Sequence, residues 1–398
     1  MKIKWSILAI FLFTTVLITA QTKNMKTINT IINSVKVKYA PDKRVALFNV
    51  EIKKEKKNLI LTGETNIPEA KDELMDKINS KKIKVKDEIV LLPDEKLGDK
   101  VYGIVNLSVA NIRTYPKHPA ELATQALLGT IVKVLKHEDG FYLIQTPDEY
   151  IAWVDDDGIV TVNRDLLYDW ESTPKIIYTK DYGFAYISPD EESQRVSDLV
   201  IGDILINIGE EGDYVKVQYP DKRIAFIKKE YTKSLKDWLA TAKPTQENII
   251  ETAKSFMGIP YLWGGTSAKG MDCSGFTKTV YFLNGVLLDR DASQQVKKGI
   301  LVDTENGFEN LQKGDLLFFG FKGTKEKKER VTHVGIYIGD LEFIHESGRV
   351  KINSFDEKRP NFSKFRLEHF IRARRIITSL NKNGIIMIKD SKYYNGEL

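Results

Sequence analysis

The chain has 398 residues, with 60 basic and 55 acidic side chains and a formal net charge of +5. About two to four domains fit this length, and 42% hydrophobic residues with 10% aromatic ones are enough for packed cores, which excludes wholesale disorder. The charge balance gives no case for a nucleic acid partner, and the lysine-rich runs at 53–57 and 325–328 are most simply solvated loops.

The first 20 residues have the composition of a secretory signal peptide. Lys2 and Lys4 precede an apolar run from Trp5 to Ala20, and a positive start, a run of this length and a small residue at its end are typical of cleaved signals. A transmembrane anchor is the alternative, but a span prefers about 20 strongly apolar residues. We therefore expect an exported protein, in the periplasm or at the cell exterior, without stable membrane insertion after cleavage.

Residues 24–98 predict a small α/β unit. Two short apolar runs, Val45-Ala-Leu-Phe-Asn-Val and Leu59-Ile-Leu, are typical of strands. The apolar spacing from Ile67 to Ile78 predicts a helix with Asn66 as its N-cap. No residue pattern in this unit indicates chemistry.

Two β-rich stretches follow, and they resemble each other. The first contains Gly129-Thr-Ile-Val-Lys-Val-Leu, Gly140-Phe-Tyr-Leu-Ile-Gln and Pro147-Asp-Glu-Tyr-Ile-Ala-Trp-Val. The second contains Gly202-Asp-Ile-Leu-Ile-Asn-Ile, Gly212-Asp-Tyr-Val-Lys-Val-Gln and Pro220-Asp-Lys-Arg-Ile-Ala-Phe-Ile, at offsets of 73, 72 and 73 residues. A repeat of this length built from short strands predicts two small barrels in tandem, over 99–165 and 166–240.

Beyond a Lys-Pro-Thr linker within 241–245, the pattern is that of an α+β domain, which we assign to residues 241–378. Helical stretches at 247–257 and 273–283 flank a turn-rich loop, Gly258-Ile-Pro-Tyr-Leu-Trp-Gly-Gly, and later apolar runs predict strands that begin at Asp315, Val334 and Glu342. Helices followed by antiparallel strands are typical of this class. Residues 379–398 form a tail without a readable motif.

Cys273 is the only cysteine, so in an oxidising compartment it lacks an internal disulfide partner and needs another explanation. It lies between a Gly-rich loop and a predicted helix, in Lys269-Gly-Met-Asp-Cys-Ser-Gly-Phe. A thiol in the first turn of a helix faces the positive end of the helix dipole, which predicts a lowered pKa and a reactive thiolate. A buried structural cysteine is the alternative, which the flanking Asp, Ser and Gly disfavour.

Two histidines supply the partners that such a thiol needs. His333 opens one predicted strand and His345 closes the next, and the short turn at Gly339 predicts that these strands are antiparallel neighbours with their imidazoles close together. A nucleophile, a base and a group that orients the base are what acyl transfer requires. We therefore predict that Cys273 attacks, that His333 is general base and then acid, and that His345 holds the tautomer of His333. A structural role for the histidines is the alternative.

The same three side chains are also valid zinc ligands. A catalytic zinc site of that kind usually contains two cysteines, or a carboxylate near a His-x-x-x-His pair, and the sequence has neither. We therefore expect no metal and no other cofactor.

Six blocks in the order of the chain resemble the NlpC/P60 family of cell-wall cysteine peptidases, and the β-rich stretches, the first led by Ala110-Asn-Ile-Arg, resemble bacterial SH3-like (SH3b) domains. The six blocks are Pro260-Tyr-Leu-Trp-Gly-Gly, Asp272-Cys-Ser-Gly-Phe, Arg290-Asp, Lys313-Gly-Asp-Leu, His333-Val-Gly-Ile-Tyr-Ile-Gly and Ile344-His-Glu. The resemblance implies a multidomain chain, in which a papain-like α+β NlpC/P60 domain follows two all-β SH3-like barrels and the small N-terminal α/β unit. It also implies the same Cys-His-His assignment.

The domain order resembles that of γ-D-glutamyl-L-diamino acid endopeptidases, which cut between D-glutamate and diaminopimelate or lysine in peptidoglycan-derived peptides with a free N-terminal L-alanine. Six residues then match substrate-contacting positions: Tyr261, Asp272, Ser274 and Asp291, with Glu121 and Tyr150 of the first SH3b domain. Carboxylates suit the ammonium, whereas hydroxyls and helix N-terminal amides suit the D-glutamate α-carboxylate. The backbone N–H of Cys273 and the Tyr261 hydroxyl would stabilise the oxyanion.

The sequence departs from this subgroup at two positions. The acid expected directly before Thr124-Gln-Ala-Leu-Leu-Gly is Ala123, with Glu121 two places earlier, and the serine expected after Asp291 is Ala292. Glu121 is either the amine-binding acid or an exposed loop carboxylate. The alternative functions are an SH3b wall-binding protein with a degenerate peptidase, and an amidase or acyltransferase on the same scaffold. The sequence leaves the oligomeric state open and is consistent with a monomer.

Overall fold

The computed structural model describes residues 22–56 and 58–398. The signal peptide predicted over residues 1–20 lies outside this part of the chain. Among the described residues, no helix has both the length and the apolar character that crossing a bilayer requires. The chain divides into two compact units, the first ending at Gly98 and the second comprising Asp99–Leu398.

The first unit packs two helices onto a three-stranded sheet of order β1-β2-β3, in which β1 and β2 are antiparallel and β2 and β3 are parallel. Its elements are α1 (residues 22–39), β1 (Phe48–Glu55), β2 (Asn58–Thr65), α2 (Pro68–Ser80) and β3 (Lys86–Leu91). The predicted cap of α2 is wrong by one residue. Ile67 is the N-cap, and the Asn66 side chain instead accepts from the Leu47 amide at 2.8 Å. Helix α1 was not among the predicted elements.

The second unit begins with two seven-stranded antiparallel sheets. The first has the order β10-β4-β7-β8-β9-β5-β6 and the second β13-β12-β16-β15-β14-β11-β17. The first comprises β4 (Tyr102–Val105), β5 (Val109–Arg113), β6 (Leu122–Leu127), β7 (Ile131–Glu138), β8 (Phe141–Gln145), β9 (Ile151–Asp155) and β10 (Ile159–Val162), followed by α3 (Arg164–Ser172). The second comprises β11 (Lys175–Tyr178), β12 (Tyr182–Tyr186), β13 (Arg195–Val200), β14 (Ile204–Glu211), β15 (Tyr214–Gln218), β16 (Ile224–Lys228) and β17 (Thr232–Ser234), followed by α4 (Leu235–Thr241).

The internal repeat is visible in the strand pairing. Strands β7, β8 and β9 pair in sequence, as do β14, β15 and β16. The leading strand of each triplet carries a register irregularity, between Val134 and Lys136 in β7 and between Asn207 and Gly209 in β14. These positions are 73 residues apart, the offset seen in the sequence, so the two stretches share a strand pattern down to this irregularity.

The remainder of the unit is built on a six-stranded antiparallel sheet of order β21-β26-β22-β23-β24-β25. Helix α6 packs against β23 and β24, and its apolar face enters the largest buried cluster of this region through Phe276, Val280 and Tyr281. The elements are α5 (Gln246–Ser255), β18 (Thr266–Ser267), β19 (Gly270–Met271), α6 (Cys273–Leu283), β20 (Val286–Leu287), α7 (Ala292–Gln295), β21 (Ile300–Val302), β22 (Leu316–Phe321), β23 (Arg330–Gly339), β24 (Glu342–Glu346), β25 (Val350–Ser354), α8 (Lys364–Glu368), β26 (Phe370–Arg375) and β27 (Ile386–Met387).

Residues 379–398, in which the sequence showed no motif, are packed into this unit. Strand β27 pairs with β20 directly after α6. Ile388 and Tyr393 are buried, and the Tyr394 ring lies 6.5 Å from that of Phe282 on α6. The C-terminal segment therefore supports the helix that begins at Cys273.

Candidate active site

Cys273 is the first residue of α6. Asp272 is the N-cap, and its Oδ1 accepts a hydrogen bond of 2.7 Å from the Gly275 amide, so the start of the helix is fixed one residue before the thiol. The Cys273 side chain is 8% exposed. The backbone amide of Val334, which follows His333 on β23, is near enough to the sulfur to lower the pKa of the thiol. The strand that carries the predicted base therefore lies against the predicted nucleophile.

Burial dominates the protonation of the Cys273 thiol. It raises the pKa to about 12, and the negative charge of Asp272 adds to the rise. The amides of Val334 and Ser274 and the charge of Arg290 oppose it. The expectation of a lowered pKa is therefore wrong for the substrate-free site, because loss of hydration outweighs the favourable amides at the helix start. The resting residue is a neutral thiol.

The two histidines and Asn353 form a chain of hydrogen bonds. His333 Nε2 lies 2.7 Å from His345 Nδ1, and His345 Nε2 lies 2.8 Å from Asn353 Oδ1. The Asn353 amide nitrogen donates to the Asn361 carbonyl at 2.8 Å, which assigns its oxygen to the side facing His345. An amide oxygen only accepts, so His345 is protonated on Nε2 and accepts from His333 Nε2 through Nδ1. His333 Nδ1 is left unprotonated, in the form that a general base needs.

Burial also keeps both imidazoles neutral. It lowers the pKa of His333 well below the ordinary value, and positive charge on His345, Arg366 and Lys351 lowers it further. It lowers the pKa of His345 to about 3, although the hydrogen bond to Asn353 opposes this fall. Because the thiol and the imidazoles are all neutral at rest, proton transfer has to accompany attack on a substrate.

The imidazole contact bears on the zinc alternative. The two facing nitrogens, 2.7 Å apart, are the donor and acceptor of one hydrogen bond, so they are not both available as ligands of one metal ion. In the described part of the chain, no three His, Cys, Asp or Glu side chains are placed to hold a metal.

A buried arginine brings together four of the six predicted substrate-contacting residues. Arg290 is 1% exposed; its Nη1 donates to Asp272 Oδ1 and to Ser274 Oγ at 3.1 Å each, and its Nη2 donates to Asp272 Oδ2 at 2.6 Å. Asp291 Oδ1 lies 3.9 Å from Nη1, and the Tyr150 hydroxyl is near enough to influence the pKa of Arg290. The cluster thus lies at the start of α6, within electrostatic reach of Tyr150 in the connection between β8 and β9.

Both oxygens of Asp272 are already engaged. Besides Arg290 and Gly275, the carboxylate accepts from the Gly264 amide at 3.0 Å and from the Ser274 hydroxyl at 3.2 Å. A substrate ammonium would have to displace one of these contacts. Ala292, in place of the expected serine, is buried at the start of α7, whose capping box joins Asp291 and Gln294.

Tyr261 is 37% exposed and near enough to Cys273 for the two to interact electrostatically. Burial raises its pKa above the ordinary range, and the negative charge of Asp272, with that of Cys273 in its thiolate form, adds to the rise, so its hydroxyl remains a hydrogen-bond donor. The Tyr261 amide donates to the Gly348 carbonyl at 3.1 Å, which fixes the loop before α6 to the segment after β24.

Glu346 is a buried carboxyl that the sequence analysis did not assign. It is fully buried, and among the described residues neither of its oxygens has a hydrogen-bond partner. Burial raises its pKa to about 7, and the charge of Asp272 adds to the rise. Its charge in turn contributes to the raised pKa of Tyr261, so Glu346 belongs to the electrostatic surroundings of the site.

The first sheet contacts the loop that precedes Cys273 through Glu121. Its Oε1 accepts from Trp263 Nε1 at 2.7 Å. The next loop residue, Gly264, has φ +80° and passes so close to the first sheet that an added Cβ would lie 2.3 Å from the Leu122 carbonyl oxygen. Only glycine combines this backbone conformation with this approach, so the loop that precedes the thiol is seated directly on β6.

Gln125 of β6 fixes the same loop at a second point. Its Oε1 accepts from the Thr266 amide at 2.9 Å and from the Ser267 hydroxyl at 3.3 Å, and its Nε2 donates to Asn111 at 3.0 Å. The side chain is buried. It therefore holds the first sheet and the loop in one arrangement.

Several of these residues escaped the sequence analysis. Asn353 lies eight residues after His345 on a short strand, where a single asparagine carries no signal without the pairing of β24 and β25. Arg290 and Trp263 stood within the quoted motifs but were given no role. An arginine flanked by acids, and a tryptophan before a glycine pair, are the signals that could have indicated buried and interface contacts.

A buried cysteine at a helix start, with an oriented imidazole pair on the neighbouring strands, defines a cysteine peptidase. The model of the NlpC/P60 family matches residues 258–369, and that of the bacterial dipeptidyl-peptidase Sh3 domain matches residues 112–159. The chain is 33% identical over 233 residues to the gamma-D-glutamyl-L-lysine dipeptidyl-peptidase of Bacillus cereus, a match that covers 56% of this chain and 67% of the relative. The chain therefore belongs to the NlpC/P60 family.

Two further comparisons agree with this assignment. The chain is 28% identical over 273 residues to dipeptidyl-peptidase 6 of Lysinibacillus sphaericus, covering 65% of this chain and 93% of the relative. A crystal structure of an NlpC/P60 family protein from Bacillus cereus superposes with a TM-score of 0.58 at 26% identity, covering 69% of this chain and 99% of the other. The similarity thus includes sheet-rich regions before the peptidase domain.

Proposed function

We propose that this peptidase hydrolyses the bond between γ-D-glutamate and a diamino acid, lysine or diaminopimelate, in peptidoglycan-derived peptides that begin with a free L-alanine. The observation that carries the proposal is the 2.7 Å contact between Glu121 Oε1 and Trp263 Nε1. It brings an acid of the SH3 domain to the loop that precedes Cys273. The names of relatives such as the gamma-D-glutamyl-L-lysine dipeptidyl-peptidase support this choice of bond.

The chemistry follows from the protonation states of the site. As the Cys273 sulfur attacks the γ-carbonyl carbon of D-glutamate, His333 Nδ1 takes the thiol proton, and the carbonyl electrons move to the oxygen. The Cys273 amide and the Tyr261 hydroxyl stabilise that oxyanion. His333 then gives its proton to the leaving amine, and the thioester remains. Water, deprotonated by His333, attacks the thioester and releases the carboxylate product and the thiol.

The SH3 domain sets which peptides fit. A free N-terminal ammonium pairs with a carboxylate such as that of Glu121, whereas an acylated or glycan-linked alanine has no charge to offer there. Because Glu121 stands two residues before the position expected from related sequences, its contact with Trp263 supports the view that a differently shaped loop brings it to the same wall.

The finer features of the architecture and location belong to the same proposal. We assign 24–98 to a small α/β domain, 99–165 and 166–240 to SH3-like barrels, and 241–378 to a papain-like peptidase domain. The residues assigned to a signal peptide, 1–20, support export to the periplasm or cell exterior, where peptidoglycan fragments are found. A thiol with a raised pKa, as in Cys273, is less prone to oxidation in that compartment.

The test uses the chain without residues 1–20 and four substrates. These are L-Ala-γ-D-Glu-L-Lys, L-Ala-γ-D-Glu-diaminopimelate and the N-acetylated form of each. We expect release of the free diamino acid from the unblocked peptides, little from the acetylated ones, and none with Cys273→Ala. Equal cleavage of blocked and unblocked peptides would contradict recognition of the amine, and cleavage of neither would contradict the substrate class.

A further inference from the structure

A half-buried arginine that has no role in the steps above lies beside the catalytic residues. Arg366 is the third residue of α8, a helix capped by Ser363, whose hydroxyl accepts from the Arg366 amide. Neither α8 nor its neighbour Ser347 carries any of the six residues matched to substrate contacts. Arg366 therefore belongs to a wall of the site that the proposed recognition of L-Ala-D-Glu leaves unused.

Packing holds the Arg366 guanidinium in place from two sides. Its Cζ lies 5.5 Å from the ring centroid of Phe319, which is fully buried, and 5.5 Å from that of Phe365, which is exposed. The Phe319 ring lies 5.7 Å from the imidazole of His333. Arg366 and the catalytic base thus contact the same aromatic ring.

The charge of Arg366 has no counter-ion among the described residues. Its side chain makes one hydrogen bond, from Nη2 to Ser347 Oγ at 3.4 Å, and no described carboxylate lies within ion-pair distance. Three other arginines of this region do have ion-pair partners: Arg359 pairs with Glu342, Arg372 with Glu329 and Arg375 with Asp315. A guanidinium offers five N–H donors in a planar fork that fits a carboxylate.

The positive charge of Arg366 lies close to the residues that would carry out the reaction. Arg366 influences the titration of His333 and His345, and the negative form of Cys273 acts on Arg366 in turn. When His333 protonates the leaving amine, that amine is within hydrogen-bond distance of the imidazole. The α-carboxylate of the leaving residue is two bonds from the amine, so it falls within the region that a long side chain next to His333 can reach.

We propose that Arg366 binds a carboxylate of the departing diamino residue, either its α-carboxylate or the side-chain carboxylate of diaminopimelate. This inference rests on the proposed function, because it assumes that the γ-D-glutamyl bond is the one cut. The substrate then meets opposite charges at its two ends, a carboxylate wall for its N-terminal ammonium and Arg366 for its C-terminal acid. Arg366 is a specificity-determining residue for the leaving group.

The experiment measures KM and kcat for three peptides with wild type, Arg366→Gln and Arg366→Lys. L-Ala-γ-D-Glu-diaminopimelate has two carboxylates on its leaving residue, L-Ala-γ-D-Glu-L-Lys has one, and L-Ala-γ-D-Glu-L-Lys amide has none. We expect Arg366→Gln to raise KM about tenfold or more for carboxylate-bearing peptides, with kcat changed less and the amide unaffected. Arg366→Lys should restore part of the loss, since it keeps the charge without the fork.

The pattern across peptides identifies the carboxylate. A loss confined to diaminopimelate assigns the side-chain carboxylate, and a loss shared with the lysine peptide assigns the α-carboxylate; either supports the inference. An equal loss on the amide overturns it, as does a loss that disappears when D-glutamate is replaced by D-isoglutamine, since Arg366 would then bind the D-glutamate α-carboxylate. Wild-type cleavage of the peptides tests the proposed function separately.

Arg372→Gln is the matched control. Arg372 already forms an ion pair with Glu329 at the surface, so the same substitution there should leave KM for all three peptides unchanged. Thermal unfolding of each variant separates a loss of binding from a loss of fold.

Discussion

Asn353 Oδ1 lies 2.8 Å from Nε2 of His345 and accepts a hydrogen bond from its N–H group, although Asn353 is remote from the thiol in the sequence. Because the opposite face of His345 accepts from His333, this amide decides the tautomer of both imidazoles. A residue on β25 thereby controls whether the base on β23 has a free lone pair. The orientation of the amide depends in turn on its hydrogen bond to the Asn361 carbonyl.

Replacing Asn353 should impair turnover rather than binding. With Asn353→Ala, His345 can adopt either tautomer, and we expect kcat to fall about 10- to 100-fold, a part of the ~10²–10⁴-fold that acid–base catalysis supplies. KM for L-Ala-γ-D-Glu-L-Lys should change little. An unchanged kcat would show that the contact does not set the tautomer.

Asn353→Asp tests the same contact through pH. A carboxylate beside His345 favours the protonated imidazole and raises the pKa of the pair from its low folded value. Activity requires neutral His333, so the acidic limb of kcat/KM should move to higher pH than in wild type. A limb at the same pH in both proteins would contradict this coupling.

Glu121 should contribute to the binding of unblocked peptides only. For Glu121→Gln, which can keep the contact with Trp263 Nε1 through its amide oxygen, we expect KM to rise about tenfold for peptides with a free N-terminus, the loss of one charged hydrogen bond. KM for the N-acetylated peptide should be unchanged. Glu138→Gln, at an exposed position of the same sheet, is the control, and a matching rise for both peptides would place Glu121 outside the amine site.

The Asp272–Arg290 pair should be important for stability. Asp272→Asn keeps an oxygen that can cap α6 but removes the closest counter-ion of the buried Arg290 guanidinium, which is left with only Asp291 at 3.9 Å. Breaking a buried pair in this way costs about 3–5 kcal/mol in the free energy of unfolding, measured by denaturant titration. Arg372→Gln removes an exposed pair with Glu329 and should cost about 1 kcal/mol or less. Similar losses of unfolding free energy in both variants would contradict the view that the buried pair contributes more than the exposed one.

Glu346 should make the free energy of unfolding depend on pH. Its pKa is raised from 4.5 to about 7 in the folded chain, so folding favours the protonated form. The corresponding stability is complete below about pH 4.5 and is lost as the pH rises through 7. Glu346→Gln stays neutral, so relative to wild type it should gain on the order of 1–3 kcal/mol between pH 4 and pH 8.

Glu342 on the same strand supplies a control of opposite sign. Hydrogen bonds from Asn361 and Arg359 lower its pKa, so its contribution is present above the ordinary glutamate pKa and lost as the pH falls. Glu342→Gln should therefore lose stability at pH 8 relative to wild type. If the free energies of unfolding of Glu346→Gln and wild type differ by the same amount at pH 4 and at pH 8, burial does not raise the pKa of this carboxyl.

The local sequence was sufficient to predict those elements whose structure depends only on their own residues. The helix starting at Cys273 was predicted because the apolar residues from Cys273 to Leu283 have helical spacing, and the structure has a helix with these bounds. The hairpin of β23 and β24 was predicted because Gly339 precedes a short turn, and Asp340 and Leu341 do adopt positive φ there. The internal repeat was evident from spacing alone.

Contacts between segments that are distant in the sequence could not be predicted and were found only in the structure. The pKa of Cys273 depends on how deeply the sheets bury the thiol, which no local pattern reports, so the helix dipole alone gave the wrong direction. The role of Asn353 depends on strand register, and the unpaired state of Glu346 depends on packing around a loop. Asn66 looked like a cap because its residue type is right, but the backbone of Leu47 recruits it instead.

The close approach of Gly264 to Leu122 limits how the catalytic domain of this chain can be combined with another SH3 domain. No side chain fits at 264 while β6 keeps its place, so the peptidase loop and the SH3 strand can change only together. Grafting this catalytic domain onto a different SH3 domain should therefore fail unless residues 121–128 travel with it.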